Sequence, residues 1–156
     1  MDYLTKAIVD TLVQLRSMEI NERLMERLCN LIRVVDDVER ISDHAENIIE
    51  YEEIMHNGKA SMSAAALRDL QELSDLTLRS VNAAVTAFEN HDNTMIAKVQ
   101  EYEREVNEAT KRATENHVMR LMKDSCDPQG GIIYTDITID LERCSDHGIN
   151  LVEALQ

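Results

Sequence analysis

The chain has 156 residues, and 44% of them are hydrophobic but only 3% aromatic, with four glycines and one proline. So few turn-forming residues argue against β-sandwiches and β-barrels and favour an all-α fold with long helices. The formal net charge of −14 argues against nucleic acid as a ligand, because binding its phosphates needs clustered Lys and Arg.

Five helices are predicted in chain order from the spacing of apolar residues, which recur every three or four positions. The predicted ranges are about 2–16, 22–55, 61–90, 94–123 and 132–155. Asn21 can cap the second helix, and Asn57 and Gly58 can end it. The segment 126–131 holds the only proline and two of the four glycines, so it is the clearest break in the chain. The sequence therefore predicts an antiparallel bundle of five long helices.

No predicted helix has the apolar run of about 18–20 residues that a membrane span needs. The three cysteines form no CxxC pair, and such sparse cysteine is typical of a reducing compartment. No secretory signal peptide is visible at the start of the chain. We therefore expect a soluble, cytoplasmic protein.

One segment of twelve residues occurs twice, at 37–48 and again 103 positions later at 140–151. Seven of the twelve positions are identical, and all seven are polar. Unrelated helices share apolar residues easily but seldom share so many polar ones, so the repeat indicates duplication of one structural unit. Under the same offset the first helix matches the later part of the fourth helix. No counterpart of the third helix appears.

The repeat therefore predicts a partial first unit at residues 1–57 and a complete three-helix unit at 58–156. On this interpretation the chain is a fragment of a longer protein. The missing helix should leave an apolar groove on the first two helices. We expect a dimer partner or the absent upstream chain to cover it.

Paired carboxylates are the most prominent feature of the repeated segment. Glu39 and Asp43 lie one helical turn apart, as do Glu142 and Asp146, and such pairs repel each other by a few tenths of a kcal/mol. A neighbouring arginine or a bound cation with oxygen ligands could offset that repulsion. Three interpretations stay open: a solvated face, a repeated salt-bridge network and a metal site. His44 and His147 point away from these carboxylates and are expected to be surface or interface residues.

Catalytic motifs are missing from the sequence. It has no Gly-rich phosphate loop, no CxxC zinc pattern and no HExxH metalloprotease motif. We therefore expect that the protein is not an enzyme.

The segment Glu39-Arg40-Ile41-Ser42-Asp43-His44-Ala45-Glu46-Asn47-Ile48 resembles the signature helix of the phosphate-uptake regulator (PhoU) family. The segment 142–151 resembles it more loosely, and the segment 101–107 is similar to the family's second-helix motif. The resemblance implies tandem three-helix units and metal ions, iron or zinc, held at Glu/Asp-x-x-x-Asp motifs. It places metal ligation on Glu39, Asp43, Glu142 and Asp146, with Asp36, Asn47, Glu103 and Asn150 as weaker candidates.

The Glu-Arg-x-Ser-Asp-His form looks most like the regulatory domain at the C-terminus of bacterial sodium/phosphate cotransporters. The resemblance implies a domain on the cytoplasmic side of the membrane that modulates phosphate transport. Its partner would be the transmembrane phosphate-transport domain of the same polypeptide. A homo-oligomer is also expected, and nucleic acid is not an expected partner.

Two departures from the family pattern matter for the metal. Thr110 and Thr114 stand where the family's second helix has acidic residues, and Asp36 corresponds to Ile139 in the second copy. The second metal site, or both sites, could therefore be degenerate and empty. Two other functions stay open: a carboxylate-bridged metal enzyme on a helical bundle and a purely structural helical interaction module.

Overall fold

The computed structural model describes residues 2–16, 21–58, 60–123 and 126–155, and within these ranges it contains helices and no strand. The helices are α1 (Asp2–Arg16), α2 (Glu22–His56), α3 (Ala64–Glu89), α4 (Ile96–Met122) and α5 (Pro128–Glu153). A single 3₁₀ turn, Asn93–Met95, precedes α4. The prediction of an all-α bundle with five long helices is confirmed.

Polar side chains cap three of the helices at their N-termini. The Asn21 side chain accepts a hydrogen bond from the Leu24 backbone N–H at 2.9 Å, as the sequence predicted. Ser63 caps α3 through the Ala66 N–H, and Asp127 caps α5 through the Gly130 N–H at 2.8 Å. These bonds satisfy backbone donors that have no partner inside the helix.

The start of α5 differs from the prediction, because the helix begins at Pro128 and not near residue 132. Proline is well tolerated in the first turn, where its missing N–H costs nothing. Gly130 and Gly131 lie inside the helix. Gly130 is required by packing, because a Cβ there would overlap the carbonyl oxygen of Ser61. In the segment interpreted as a break, residues 126 and 127 lie between α4 and α5, and residues 128–131 form the first turn of α5.

Helices α3, α4 and α5 pack together around three layers of buried side chains. The layers, from the N-terminal end of α3 to its C-terminal end, are Ala66, Leu70, Ala113 and Tyr134; Leu73, Val106, Ala109 and Leu141; and Ala84, Ala87, Val99 and Val152. Helix α2 packs along α5, and α1 packs against α2. None of the residues 3–16 in α1 is buried. None of the helices in the described ranges combines the length and the apolar character needed to cross a membrane.

A polar and aromatic cluster closes the end of the bundle where α3 and α5 begin and α4 ends. Arg120 bonds Asp69 at 2.7 Å and lies over the Tyr134 ring. The Tyr134 hydroxyl donates to the Ala113 carbonyl at 3.0 Å. The His117 ring stacks on Tyr134 with centroids 4.8 Å apart. The cluster ties all three helices together at this end.

Candidate functional site: the interface between the repeated helices

The two copies of the repeated segment lie against each other, because α2 and α5 pack side by side. His44 Nδ1 lies 2.7 Å from Asp140 Oδ1, and His147 Nδ1 lies 2.8 Å from Asp37 Oδ1. The lower-numbered residue of α2 pairs with the higher-numbered residue of α5, so the helices run antiparallel. Each residue of one pair is the 103-position counterpart of a residue in the other pair, so the contacts are reciprocal.

Two amides and a ring stack complete this network. Asn150 Nδ2 donates to Asp37 Oδ1 at 2.9 Å, and Asn47 Nδ2 donates to Asp140 Oδ1 at 3.4 Å. Each carboxylate thus accepts hydrogen bonds from two side chains of the opposite helix. The two imidazole rings stack with centroids 5.7 Å apart. We call this network the His–Asp clasp, and its members are Asp37, His44, Asn47, Asp140, His147 and Asn150.

A pseudo-twofold axis passes through the middle of the clasp. Ile41 and Cys144 are equivalent positions of the repeat, and Cys144 Sγ donates to the Ile41 carbonyl oxygen at 3.8 Å. Burial and the nearby Asp140 raise the pKa of Cys144 to about 11. This thiol therefore stays protonated at neutral pH and serves as a packing group at the axis.

The two ends of the clasp have different surroundings. Asp140 is 7% exposed, and its Oδ2 atom is buried without a hydrogen-bond partner among the described residues. Tyr51 lies near this end, and burial raises its pKa first, followed by the charges of Asp136 and Asp140. The Asp140 carboxylate is therefore enclosed.

At the Asp37 end of the clasp the aspartate is slightly more exposed, with 14% of its side chain accessible against 9% for Asp140. A cleft of about 760 Å³ borders it, lined by Asn30, Arg33, Asp36, Asp37, Asn150, Glu153 and Ala154. Ala154 is the repeat counterpart of Tyr51, so a smaller side chain borders this end of the clasp. Water can reach the Asp37 carboxylate from this cleft.

The carboxylates predicted to bind metal lie outside the clasp. Partial burial raises the pKa of Glu142, and the neighbouring charges of Asp146 and Glu103 raise it further, while Arg143 lowers it. Arg143 Nη1 lies 3.7 Å from Asp146 Oδ2, so an arginine offsets part of the repulsion in this copy. Glu103 accepts a hydrogen bond from the Asn107 amide at 2.6 Å.

The first copy has a sparser carboxylate set. Glu39 is partly exposed and Asp43 is exposed, and Glu103 has no counterpart within this sequence. In the ranges that the structure describes, no three His, Cys, Asp or Glu side chains lie close enough together to hold a metal ion. The assignment of metal ligands therefore stays a prediction.

The weaker metal candidates are placed by the structure in two groups. Asn47 and Asn150 belong to the clasp, where their amides donate to aspartates. Asp36 lines the open cleft beside Asn150, and Glu103 lies near Glu142 on the other side of α5. The structure thus separates residues that the family resemblance had grouped as metal ligands.

Sequence reasoning did not select Asp37 and Asp140, which accept the bonds that hold α2 on α5. The sequence does contain a signal for this pairing, since Asp37 lies seven residues before His44 and Asp140 lies seven residues before His147. A spacing of seven places two residues on the same helix face. The interpretation of His44 and His147 as interface residues agrees with the structure, and the repeated network is one of the alternatives left open.

Comparisons with known proteins identify the family to which this chain belongs. The chain is 25% identical over 126 residues to the phosphate-specific transport system accessory protein PhoU homolog 1 of Thermotoga maritima, covering 81% of this chain. It spans 53% of the length of that relative. No solved structure matches the chain. The family model described as the PhoU domain matches residues 1–51 and 70–155, which is most of the chain, so the chain belongs to the PhoU domain family.

Proposed function

We propose that this domain regulates phosphate transport as the cytoplasmic regulatory domain of a sodium-dependent phosphate transporter. The observation that carries the regulatory role is the PhoU domain match over most of the chain, and the link to a sodium-dependent transporter rests on the Glu-Arg-x-Ser-Asp-His form of residues 39–44. A relative named as an accessory protein of a phosphate-specific transport system supports the same role. The domain would act through its packing against the transport domain of the same polypeptide and would catalyse no reaction.

The His–Asp clasp offers a way to transmit a signal. Regulatory domains change state when packed elements shift between alternative arrangements. In this chain the contacts between α2 and α5 depend in part on polar bonds to Asp37 and Asp140. Polar contacts are directional, so a small rotation of α2 breaks them together. The clasp would therefore fix one relative arrangement of the two units.

Uptake of labelled phosphate by cells tests this proposal. The complete gene product that contains this domain is compared with its Asp140→Ala variant in a strain that lacks other phosphate importers. We expect sodium-dependent uptake whose repression at high external phosphate is lost in the variant. Glu115→Gln, a change at an exposed position of α4, is the matched control. Uptake independent of sodium would contradict the transporter assignment, and unchanged repression would contradict the regulatory role.

We also propose that Glu142 and Asp146, with Glu103 nearby, bind a divalent or trivalent cation such as iron or zinc. Carboxylate oxygens suit hard cations. Burial first, and then the charges of Asp146 and Glu103, raise the pKa of Glu142, and a cation would offset those charges. The three side chains are not close enough to form a site as they stand, so binding would require them to move.

The metal content of purified protein tests this second proposal. After incubation with Fe²⁺ or Zn²⁺ and removal of free metal, we expect bound metal in the wild type and its loss in Glu142→Gln. The Glu115→Gln protein should keep its metal. A wild type without bound metal, or equal content in the Glu142→Gln protein, would overturn the assignment.

A further inference from the structure

A small cavity lies within the polar and aromatic cluster at the end of the bundle, between the end of α4 and the start of α5. Its volume of about 10 Å³ is at the lower limit of what one water molecule needs. Cys126, His117 and Arg120 line it, beside Tyr134. The cavity therefore has room for one additional oxygen atom next to a thiol, an imidazole and a guanidinium group.

His117, one of the residues that line this cavity, has a polar atom without a partner. The residue is 8% exposed, and its Nδ1 atom is buried with no hydrogen-bond partner among the described residues. Buried polar atoms are normally paired, so an unpaired nitrogen in a residue that borders a cavity indicates that a small polar group belongs there.

The Cys126 thiol lies close to the same imidazole. A Cβ built on Gly131 would lie 3.1 Å from Cys126 Sγ and 3.2 Å from His117 Cε1, so both side chains surround one point beside α5. The thiol donates to the Asp127 carbonyl oxygen at 3.5 Å, and the Cys126 residue is partly exposed. A reagent from solvent can therefore reach a sulfur atom that borders the cavity.

The surroundings of this thiol are those in which reactive cysteines occur, namely a helix N-terminus with Arg and His nearby. Cys126 lies two residues before Pro128, the first residue of the 26-residue helix α5, where backbone N–H groups concentrate positive partial charge. Burial first, and the charge of Arg120 second, lower the pKa of His117, so its ring is neutral at pH 7 and able to accept a proton. The adjacent Asp127 carboxylate accepts two backbone N–H bonds, which offset its charge.

We propose that Cys126 is a peroxide-reactive thiol and that the cavity receives the oxygen atom of its sulfenic acid. A sulfur lone pair attacks one oxygen of hydrogen peroxide, so that the O–O bond breaks and an S–O bond forms. His117 accepts the thiol proton and passes it to the departing hydroxide. Sulfur loses two electrons, the peroxide gains them, and the products are the sulfenic acid and water. The new S–OH group gives His117 the hydrogen-bond partner that it lacks.

Trapping of sulfenic acid with dimedone, read by peptide mass spectrometry, tests the proposal on the 156-residue chain. During a brief exposure to hydrogen peroxide, we expect Cys126 to be labelled roughly ten times faster than Cys29, which is also partly exposed but lies inside α2. Cys144 is buried and should stay unlabelled. Dithiothreitol added before dimedone should restore the thiol and abolish the label. Labelling of Cys29 as fast as Cys126 would overturn the proposal.

His117→Phe separates activation of the thiol from packing, because phenylalanine keeps a ring in the cluster but has no nitrogen atom. A loosened cluster would expose Cys126 and raise its labelling rate, whereas loss of the imidazole should lower that rate by roughly tenfold or more and leave Cys29 unchanged. His56→Phe, at an exposed position of α2, is the matched control, and circular dichroism confirms that each variant is folded. A Cys126 rate that is unchanged or higher in His117→Phe also rejects the proposal, and the comparison with Cys29 in the wild type needs no variant at all.

Discussion

At the scale of single residues, Asp37 and Asp140 hold equivalent places in the repeat but experience different surroundings. Each carboxylate accepts a histidine N–H and an asparagine N–H from the opposite helix. Asp140 is enclosed, whereas Asp37 borders the open cleft. A lost hydrogen bond costs more when the remaining donors cannot turn to water.

Removing the Asp140 carboxylate should therefore cost more stability than removing its counterpart. We expect Asp140→Ala to lower the free energy of unfolding by about 2 kcal/mol and Asp37→Ala by under about 1 kcal/mol. Urea denaturation measures both. A double-mutant cycle with His44→Ala should be non-additive, since His44 and Asp140 share one bond. Equal costs at the two positions would show that enclosure of Asp140 does not matter.

Glu142 is a carboxylic acid whose surroundings disfavour its negative charge. Burial, then Asp146, raises its pKa above the ordinary 4.5. A raised carboxyl pKa means that its contribution to stability is fully present below about pH 4.5 and is lost as the pH rises through the folded-state pKa. Without metal, Glu142→Gln should therefore stabilise the protein at pH 7 by roughly 0.3–0.5 kcal/mol, and this gain should vanish near pH 4. Thermal melts at the two pH values, with Glu115→Gln as control, measure it.

At the scale of helices, sequence patterns predicted most boundaries but not the start of α5. Asn21 and the three- and four-residue spacing located α2 because capping and amphipathicity are local properties. The start of α5 was predicted too late because Gly130 is required by its contact with a distant group, the Ser61 carbonyl. The clasp was missed for a related reason: the register between α2 and α5 depends on how two helices cross, which neither helix pattern contains.

Gly130 should accordingly tolerate no side chain, although it lies in a helix. Alanine normally stabilises a helix relative to glycine, but its Cβ here would collide with the Ser61 backbone. We expect Gly130→Ala to lower the free energy of unfolding by more than about 2 kcal/mol. Gly148→Ala is the matched control, because its Cβ would meet Val81 and Ala84 at ordinary contact distance. Chemical denaturation that ranks Gly148→Ala as the more damaging change would refute this packing argument.

His117 should make the end cluster sensitive to acid. Burial first, and the charge of Arg120 second, lower its pKa below the ordinary 6.5. Its contribution to stability is therefore fully present above about pH 6.5 and is lost as the pH falls through the folded-state pKa. His117→Phe keeps a ring against Tyr134 but cannot be protonated. We expect Tm to fall less steeply below pH 6.5 in the variant than in the wild type, and an equal slope would contradict this.

At the scale of the whole molecule, the described helices form two unequal parts that share one interface: α1 and α2 as a first unit, and α3, α4 and α5 as a second. The α3–α5 unit has a continuous buried core, whereas residues 3–16 of α1 include no buried side chain. The first unit is held to the second mainly by α2 packing on α5. We therefore expect α1 and α2 to be locally less stable than α3, α4 and α5, because segments with few buried contacts open before the rest of a fold.

Amide hydrogen exchange measured by mass spectrometry can rank the two units. We expect peptides of α1 to exchange fastest, those of α2 next, and the buried stretches of α3, α4 and α5 slowest, since only the last group opens with global unfolding. The His44→Ala/His147→Ala variant removes both histidine donors of the clasp, so exchange should accelerate in α2 and α1 with little change at Val99 or Val106. Acceleration spread equally over all five helices would mean that the two units unfold as one and that the clasp is not the boundary between them.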